Sequence, residues 1–241
     1  MKNKTADFPY HLTKFFTEYL PVQRNLSPNT ISSYRDTFRL LLMFFDEESH
    51  IKPNRLELDM INRSAVEDFL RWIKEKRNNS PSTCNQRLGA LKSFFLYLQF
   101  ALPDRSLQCQ EVLNIRQMKQ QTPELKYLTI EGIKFLLNQP DISTKYGRRD
   151  LALLSLMYDT GARVQEVAEI RISYIRFSAP ATIRLTGKGN KTRVVPILSR
   201  TEQILKQYIE EFKLVNRGNE TYLFLNRDGQ QLSRFGISYI L

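Results

Sequence analysis

The chain has 241 residues, comfortable for two domains, and 41% of them are hydrophobic, enough to build real cores and to set disorder aside. Lys and Arg number 36 against 25 Asp and Glu, a formal net charge of +11. That balance fits a protein that meets a polyanion (DNA, RNA or an anionic membrane surface) or, more blandly, a basic surface with no partner. No apolar run approaches the roughly 20 residues of a membrane span, and the polar start lacks a signal-peptide core. Cys84 and Cys109 make no disulfide framework, and His11 and His50 stand far apart, so no metal site is expected. The expected setting is the cytoplasm.

Taken in chain order, the first hundred residues read as helices. Leu12, Phe15, Phe16, Tyr19 and Leu20 recur at helical spacing until Pro21, which disfavours continuation. A second helix is predicted from Ser27 as N-cap with Pro28 at its first position, through Ile31, Tyr34, Phe38, Leu41, Leu42 and Phe45. A third holds Val66, Phe69, Leu70 and Ile73. A fourth starts at Ser80-Pro81 and buries Cys84, Leu88, Leu91, Phe95 and Leu98. Four amphipathic helices on short connections predict a compact bundle.

The second and fourth helices share a Ser-Pro-x-Thr start. Opposite its apolar stripe the fourth carries Ser82, Gln86, Gly89, Ala90 and Ser93, flanked by Arg87 and Lys92. Small residues bordered by cations suit close approach to a major groove; a solvated polar face explains the pattern equally well. Pro103 to Pro123 is polar and aperiodic and reads as a linker, so the expected division is 1–103, a linker at 104–123, and a second domain at 124–241.

The second domain opens with helical stretches at Ile130–Leu137 and Asp150–Tyr158, the latter apolar nearly all round and stopped at Gly161. A short helix follows from Val164 to Ile170. The period then changes to two: Ile183 and Leu185, then Val194, Val195 and Ile197, flank a turn at Gly187–Lys191, predicting a β-hairpin. Helix returns at Thr201–Phe212, and a short strand is expected at Tyr222–Leu225. The fold class is thus mainly α with a small β-sheet.

Two places can carry chemistry. Arg163 follows a stopped helix with Glu166 one turn on, an arrangement that presents a guanidinium to a phosphate or merely ties off the preceding carbonyls. The GKGNKTR turn puts Lys188, Lys191 and Arg193 at a hairpin tip able to neutralise phosphate or donate a proton, or simply an exposed basic turn. A phosphate-cradling Walker loop is excluded, because a strand follows where that motif needs a helix.

The segment LALLSLMYDTGARVQEVAEIRISYI, followed by IRLTGKGNKTRVVPI, resembles the catalytic domain of the tyrosine recombinases, the lambda-integrase family, with Xer-like members nearest in pattern. The family's Thr-Gly-x-Arg-x-x-Glu and Gly-Lys-Gly-x-Lys both match residue by residue. Leu-Ser-Pro-Asn-Thr and Ser-Pro-Ser-Thr-x-Asn-x-x-Leu resemble its helical, SAM-like core-binding domain. The resemblance implies a clamp on double-stranded DNA, tetramers on paired sites, a nucleoid setting, and no cofactor, metal, membrane or small-molecule substrate. It makes Arg163 the residue on the scissile phosphate, Lys188 the general acid on the leaving 5′ oxygen, and Glu166 the support of Arg163. DNA contacts are expected from Thr30, Arg35, Thr83, Gln86, Arg87, Lys92, Lys191 and Arg193. The family's His-x-x-Arg motif and nucleophilic tyrosine have no match: no histidine follows His50, and Tyr208, Tyr222 and Tyr239 lack the nucleophile's context. The catalytic domain is therefore expected to be incomplete and no nucleophile is assigned. That leaves three readings: a fragment of a recombinase, a catalytically silent DNA-binding derivative of one, or an unrelated basic nucleic-acid-binding module.

Overall fold

A computed structural model describes residues 8–120 and 127–241, and the chain divides between Glu124 and Leu125 into two compact units. In the first unit, α1 (Phe8–Lys14) runs directly into a π-helical segment (Phe15–Gln23), followed by α2 (Pro28–Ser49), α3 (Arg63–Glu75), α4 (Pro81–Ala101) and α5 (Ser106–Leu113). The helix therefore passes Pro21 instead of stopping there. A π turn bonds each N–H five residues back, as Arg24 N–H does to the Tyr19 carbonyl at 2.9 Å, and its wider ring tolerates a proline that has no N–H to give. Burial of Phe15 and Leu20, both fully enclosed, supplies the drive.

The helix starts follow the sequence. Ser27 and Ser80 are N-caps whose side chains accept the N–H of Thr30 and Thr83 at 3.3 and 3.2 Å, with Pro28 and Pro81 at the first helical turn. Ser80→Ala is expected to lower stability by about 1 kcal/mol, read by urea unfolding; a change near zero would show that Pro81 alone fixes this helix start. The core is rich in rings. Phe15 lies within 6.5 Å, centroid to centroid, of Phe16, Tyr19, Tyr34, Phe38, Phe94 and Tyr97, so α2 and α4 are glued through the N-terminal helix.

The expected linker is a structured part of this unit over much of its length. Cys109 and Val112 on α5, and Ile115 after it, are buried in the same core as α3 and α4. Two buried anchors in an eight-residue helix, and a third just past its end, leave too short a run for periodicity to show. Ala90, expected on the polar face of α4, is also buried.

The second unit contains α6 (Ile130–Leu137), α7 (Lys145–Thr160), α8 (Val164–Ala168), an antiparallel sheet in the order β1 (Ile175–Arg176), β2 (Thr182–Thr186), β3 (Thr192–Pro196), then α9 (Ser199–Glu211) and α10 (Arg234–Ile240). Gly161 ends α7 in the left-handed region (φ 58°), where a side chain is disfavoured, and its N–H closes on the Met157 carbonyl. Ile183 and Leu185 face the core; Arg184 between them faces out. β1 is too short to show a period. Tyr222–Leu225 forms single bridges to Arg171 and Gln231 in place of the expected strand: its apolar run is buried as a strand's would be, but among the described residues no partner strand extends either bridge into a ladder. Among the described residues, no helix is long and apolar enough to cross a membrane.

Candidate functional site

The site forms where the end of α7, the start of α8 and the β2–β3 hairpin meet. Gly161 turns the chain so that Arg163 becomes the N-cap of α8 with an extended backbone (φ −71°, ψ 151°). Glu166, three residues on, reaches back: its carboxylate accepts the Arg163 backbone N–H at 2.9 Å and the Arg163 guanidinium at 3.1 Å. The contrast in exposure is sharp. The Glu166 side chain is 3% exposed and that of Arg163 is 72% exposed, so a buried carboxylate holds the root of a guanidinium whose remaining donors face solvent.

The hairpin closes on the same carboxylate. Arg193 donates from both terminal nitrogens to the two Glu166 oxygens at 2.9 and 2.8 Å, a two-point fork. The register explains it: Arg193 pairs with Leu185 across the ladder, so it shares the inner face with Val195 while Val194 points out. Gly187, the residue before the tip, packs over Glu166. A Cβ built there would lie 2.4 Å from Glu166 Oε1, and Gly187 N–H bonds the Lys191 carbonyl at 2.9 Å to shut the turn. Arg193 first, and then the Arg163 backbone and side chain, hold the Glu166 carboxyl down from 4.5 to about 2, against burial, which opposes ionisation. The Glu166 carboxylate in turn raises the pKa of Arg193.

Arg163 and Glu166 are thus brought together as expected. Lys188 follows Gly187 directly in the hairpin; its side chain lies outside the described part of the chain. Lys191 is exposed at the far side of the tip. Arg193, expected at DNA, is engaged by Glu166; the two-residue period counted outward from Leu185 was the signal for that. In the first unit, Arg35 is exposed on α2 and Lys92 is half-buried on α4. Thr30 and Thr83 lie at the capped helix starts, their hydroxyls 3.0 and 3.1 Å from the capping serines. Gln86 and Arg87 turn toward α2. Gln86 donates to Ser33 Oγ at 3.0 Å, and Arg87 donates to the Ser33 carbonyl and Thr37 Oγ1 at 3.0 and 3.1 Å, so Arg87 ties two helices together.

The late tyrosines are placed apart from this group. Tyr208 is buried, its hydroxyl donates to the Leu223 carbonyl at 2.8 Å, and burial pushes its pKa up. Tyr222 lies under the Arg171 guanidinium, and Tyr239 is exposed on α10. Among the described residues, no hydrogen bond joins any of them to Arg163, Glu166 or Arg193.

A helical unit followed by a mixed unit with an arginine held beside a basic hairpin is the architecture of DNA-strand recombinases, and comparison with known proteins agrees. The phage integrase N-terminal SAM-like domain matches residues 14–100, and the phage integrase family model matches 126–241. The integrase/recombinase candidate y4rC of Sinorhizobium fredii is 36% identical over 238 residues, 99% of this chain and 71% of that protein. The tyrosine recombinase XerD of Listeria monocytogenes is 30% identical over 234 residues, 95% of this chain and 75% of that one. Among solved structures, the XerH site-specific recombinase bound to its palindromic difH substrate, a post-cleavage complex, superposes with a TM-score of 0.67 at 25% identity, over 87% of this chain. This chain covers 60% of the XerH chain. The chain belongs to the phage integrase family of tyrosine recombinases, in its Xer-like branch.

Proposed function

We propose that the chain engages duplex DNA as part of a site-specific recombinase that cuts and rejoins strands through a phosphotyrosine intermediate. The observation that carries this is the Arg163 guanidinium, open to solvent but rooted on the buried Glu166 carboxylate, beside the hairpin that bears Lys188. Arg163 binds the non-bridging oxygens of the scissile phosphate and balances the charge that builds there as the phosphorus becomes five-coordinate. Lys188 gives a proton to the departing 5′ oxygen. Glu166 fixes Arg163 and touches no phosphate. The attacking tyrosine is assigned to no residue of this chain. Assembly as a tetramer on paired sites belongs to the same proposal.

A second reading, DNA engagement without cleavage, is favoured by the placement of Tyr208 in the core and of Tyr222 beneath Arg171. The experiment is duplex binding across a salt series, coupled to a search for a covalent adduct. Affinity is expected to fall steeply with salt, and no complex should survive denaturation. Arg163→Ala should reduce the slope of log K against log salt by roughly 0.9 and lower the melting temperature only slightly, since one phosphate contact is lost while Glu166 keeps its bonds from the Arg193 guanidinium and the residue-163 backbone N–H. Affinity indifferent to salt would remove the phosphate contacts altogether. Tighter binding to RNA than to duplex DNA would point to an unrelated module, and a denaturation-resistant adduct would place a nucleophile within this chain.

A further inference from the structure

We infer that Arg87 is a positioning residue for DNA recognition: with Gln86 it pins α4 to α2, so that the two Ser-Pro-x-Thr helix starts stand side by side. The inference rests on the proposed function and deepens it. Ser33 lies six residues past its cap Ser27, and Gln86 lies six residues past its cap Ser80. Gln86 Nε2 donates to Ser33 Oγ at 3.0 Å, so the helices touch at equal distances from their starts. Farther along, Arg87 Nη1 donates to Thr37 Oγ1 at 3.1 Å, and the rings of Phe38 and Phe94 lie 5.2 Å apart, centroid to centroid. Later residues of one helix thus meet later residues of the other, so α2 and α4 run parallel and in register. Arg87 is committed to this contact. Nη1 also donates to the Ser33 carbonyl at 3.0 Å, and the buried Thr37 hydroxyl donates to that same carbonyl at 3.1 Å. Arg87 Nε is enclosed and has no partner among the described residues, so the side chain stays turned inward even at the cost of one missing bond.

The consequence is geometric. Packed helices lie roughly 8–10 Å apart, so helices held in register keep Thr30 and Thr83 at a separation on the order of three base pairs of duplex. A slip of either helix by one turn would move its contacts by about 5.4 Å, more than the rise of about 3.4 Å per base pair. Apolar burial is non-directional, whereas a hydrogen bond demands a particular distance and angle. The rings of the core therefore bring α2 and α4 together, and the polar pin fixes their register. Gln86 and Arg87, expected at DNA, act instead through Thr30 and Arg35 on α2 and Thr83 and Lys92 on α4, whose relative places they set.

The test uses the full chain and two probes: a duplex selected from a randomised pool by the unaltered chain, and a scrambled duplex of the same composition. Arg87→Met keeps the stem of the side chain and removes its donors. It is expected to lower the preference for the selected duplex about ten-fold, with helical content unchanged. The slope of log K against log salt on the scrambled duplex should stay that of the unaltered chain, because no phosphate contact is lost. Arg35→Ala, which removes an exposed cation, should reduce that slope by roughly 0.9. Thr37→Val, a buried change that leaves α4 intact, should lower the preference about three-fold, and it decides the matter if Arg87→Met fails to fold. A slope reduced by roughly 0.9 in Arg87→Met would overturn the inference by making Arg87 itself a phosphate ligand. Unchanged preference in the folded variants would overturn it by leaving the pin a structural role alone, and so would an unaltered chain that binds both duplexes equally. An unaltered chain that binds neither duplex in a salt-dependent way would instead remove the proposed function, a result read without any variant.

Discussion

Glu166→Ala is expected to destabilise the second unit by about 2–3 kcal/mol and to lower its melting temperature by about 10 °C. The carboxylate is enclosed and accepts four hydrogen bonds from Arg163 and Arg193. Its loss strands the Arg193 guanidinium on the inner face of β3. The figure stays below the roughly 3–5 kcal/mol of a fully buried pair because both arginines retain access to water. The pH dependence gives an independent reading. A carboxyl whose folded pKa lies below its unfolded value favours the folded state fully at pH values above the unfolded one, and that advantage disappears as the pH falls through the folded one. For Glu166 the window runs from about 4.5 down to about 2, and the depression corresponds to roughly 3 kcal/mol. Unfolding curves of the parent and of Glu166→Gln should therefore differ most at pH 5 and above and converge toward pH 2. Parallel curves through that window would mean that Glu166 carries no charge-dependent share of the stability. Duplex affinity should fall in the same variants, since Arg163 loses the group that aims it.

Much of this arrangement was legible in the residues themselves. Ser27-Pro28 and Ser80-Pro81 announce helix starts because a hydroxyl that accepts an N–H and a ring that fixes φ act locally, and both helices begin there. Gly161 ends α7 for an equally local reason. The juxtaposition of Arg163 with Glu166 follows from helical spacing, and the hairpin from alternation around two glycines. What stayed hidden depends on contacts between distant segments. Pro21 was outweighed by burial of Phe15 and Leu20, which no local rule counts. The stretch after Pro103 looked like a linker because its polar residues outnumber Cys109, Val112 and Ile115, although those three anchor it. The bonds of Arg87 and Gln86 to Ser33 and Thr37 stayed hidden because the sequence does not reveal that α2 stands opposite them. The period of β3 puts Arg193 on the inner face, but not its partner there, which lies 27 residues earlier in the chain.

Gly187 was legible as a turn residue but not as a spacer, and its substitution tests the site most directly. Its backbone has φ −112°, ordinary for any residue, so a side chain there meets no torsional strain. The obstacle is space. The new Cβ would lie 2.4 Å from Glu166 Oε1, inside contact distance, and 3.7 Å from an Arg163 guanidinium nitrogen. Gly187→Ala must lift the hairpin away from α8 or turn the carboxylate out of its fork, and either movement weakens the bonds to Arg193. A cost of about 1–3 kcal/mol is expected, typical of forcing a methyl into a filled space. The decisive measurement is a double-mutant cycle. With Glu166 already truncated to alanine, the atom that Cβ would strike is gone, so Gly187→Ala should then cost less than about 0.5 kcal/mol, leaving a coupling term nearly as large as the single-mutant effect. Equal costs in the two backgrounds would show that Gly187 serves the turn alone and that the hairpin does not rest on the carboxylate. A coupling of the expected size would mean that one buried carboxylate sets both the placement of Arg163 and the backbone of the hairpin where it enters its tip at Gly187.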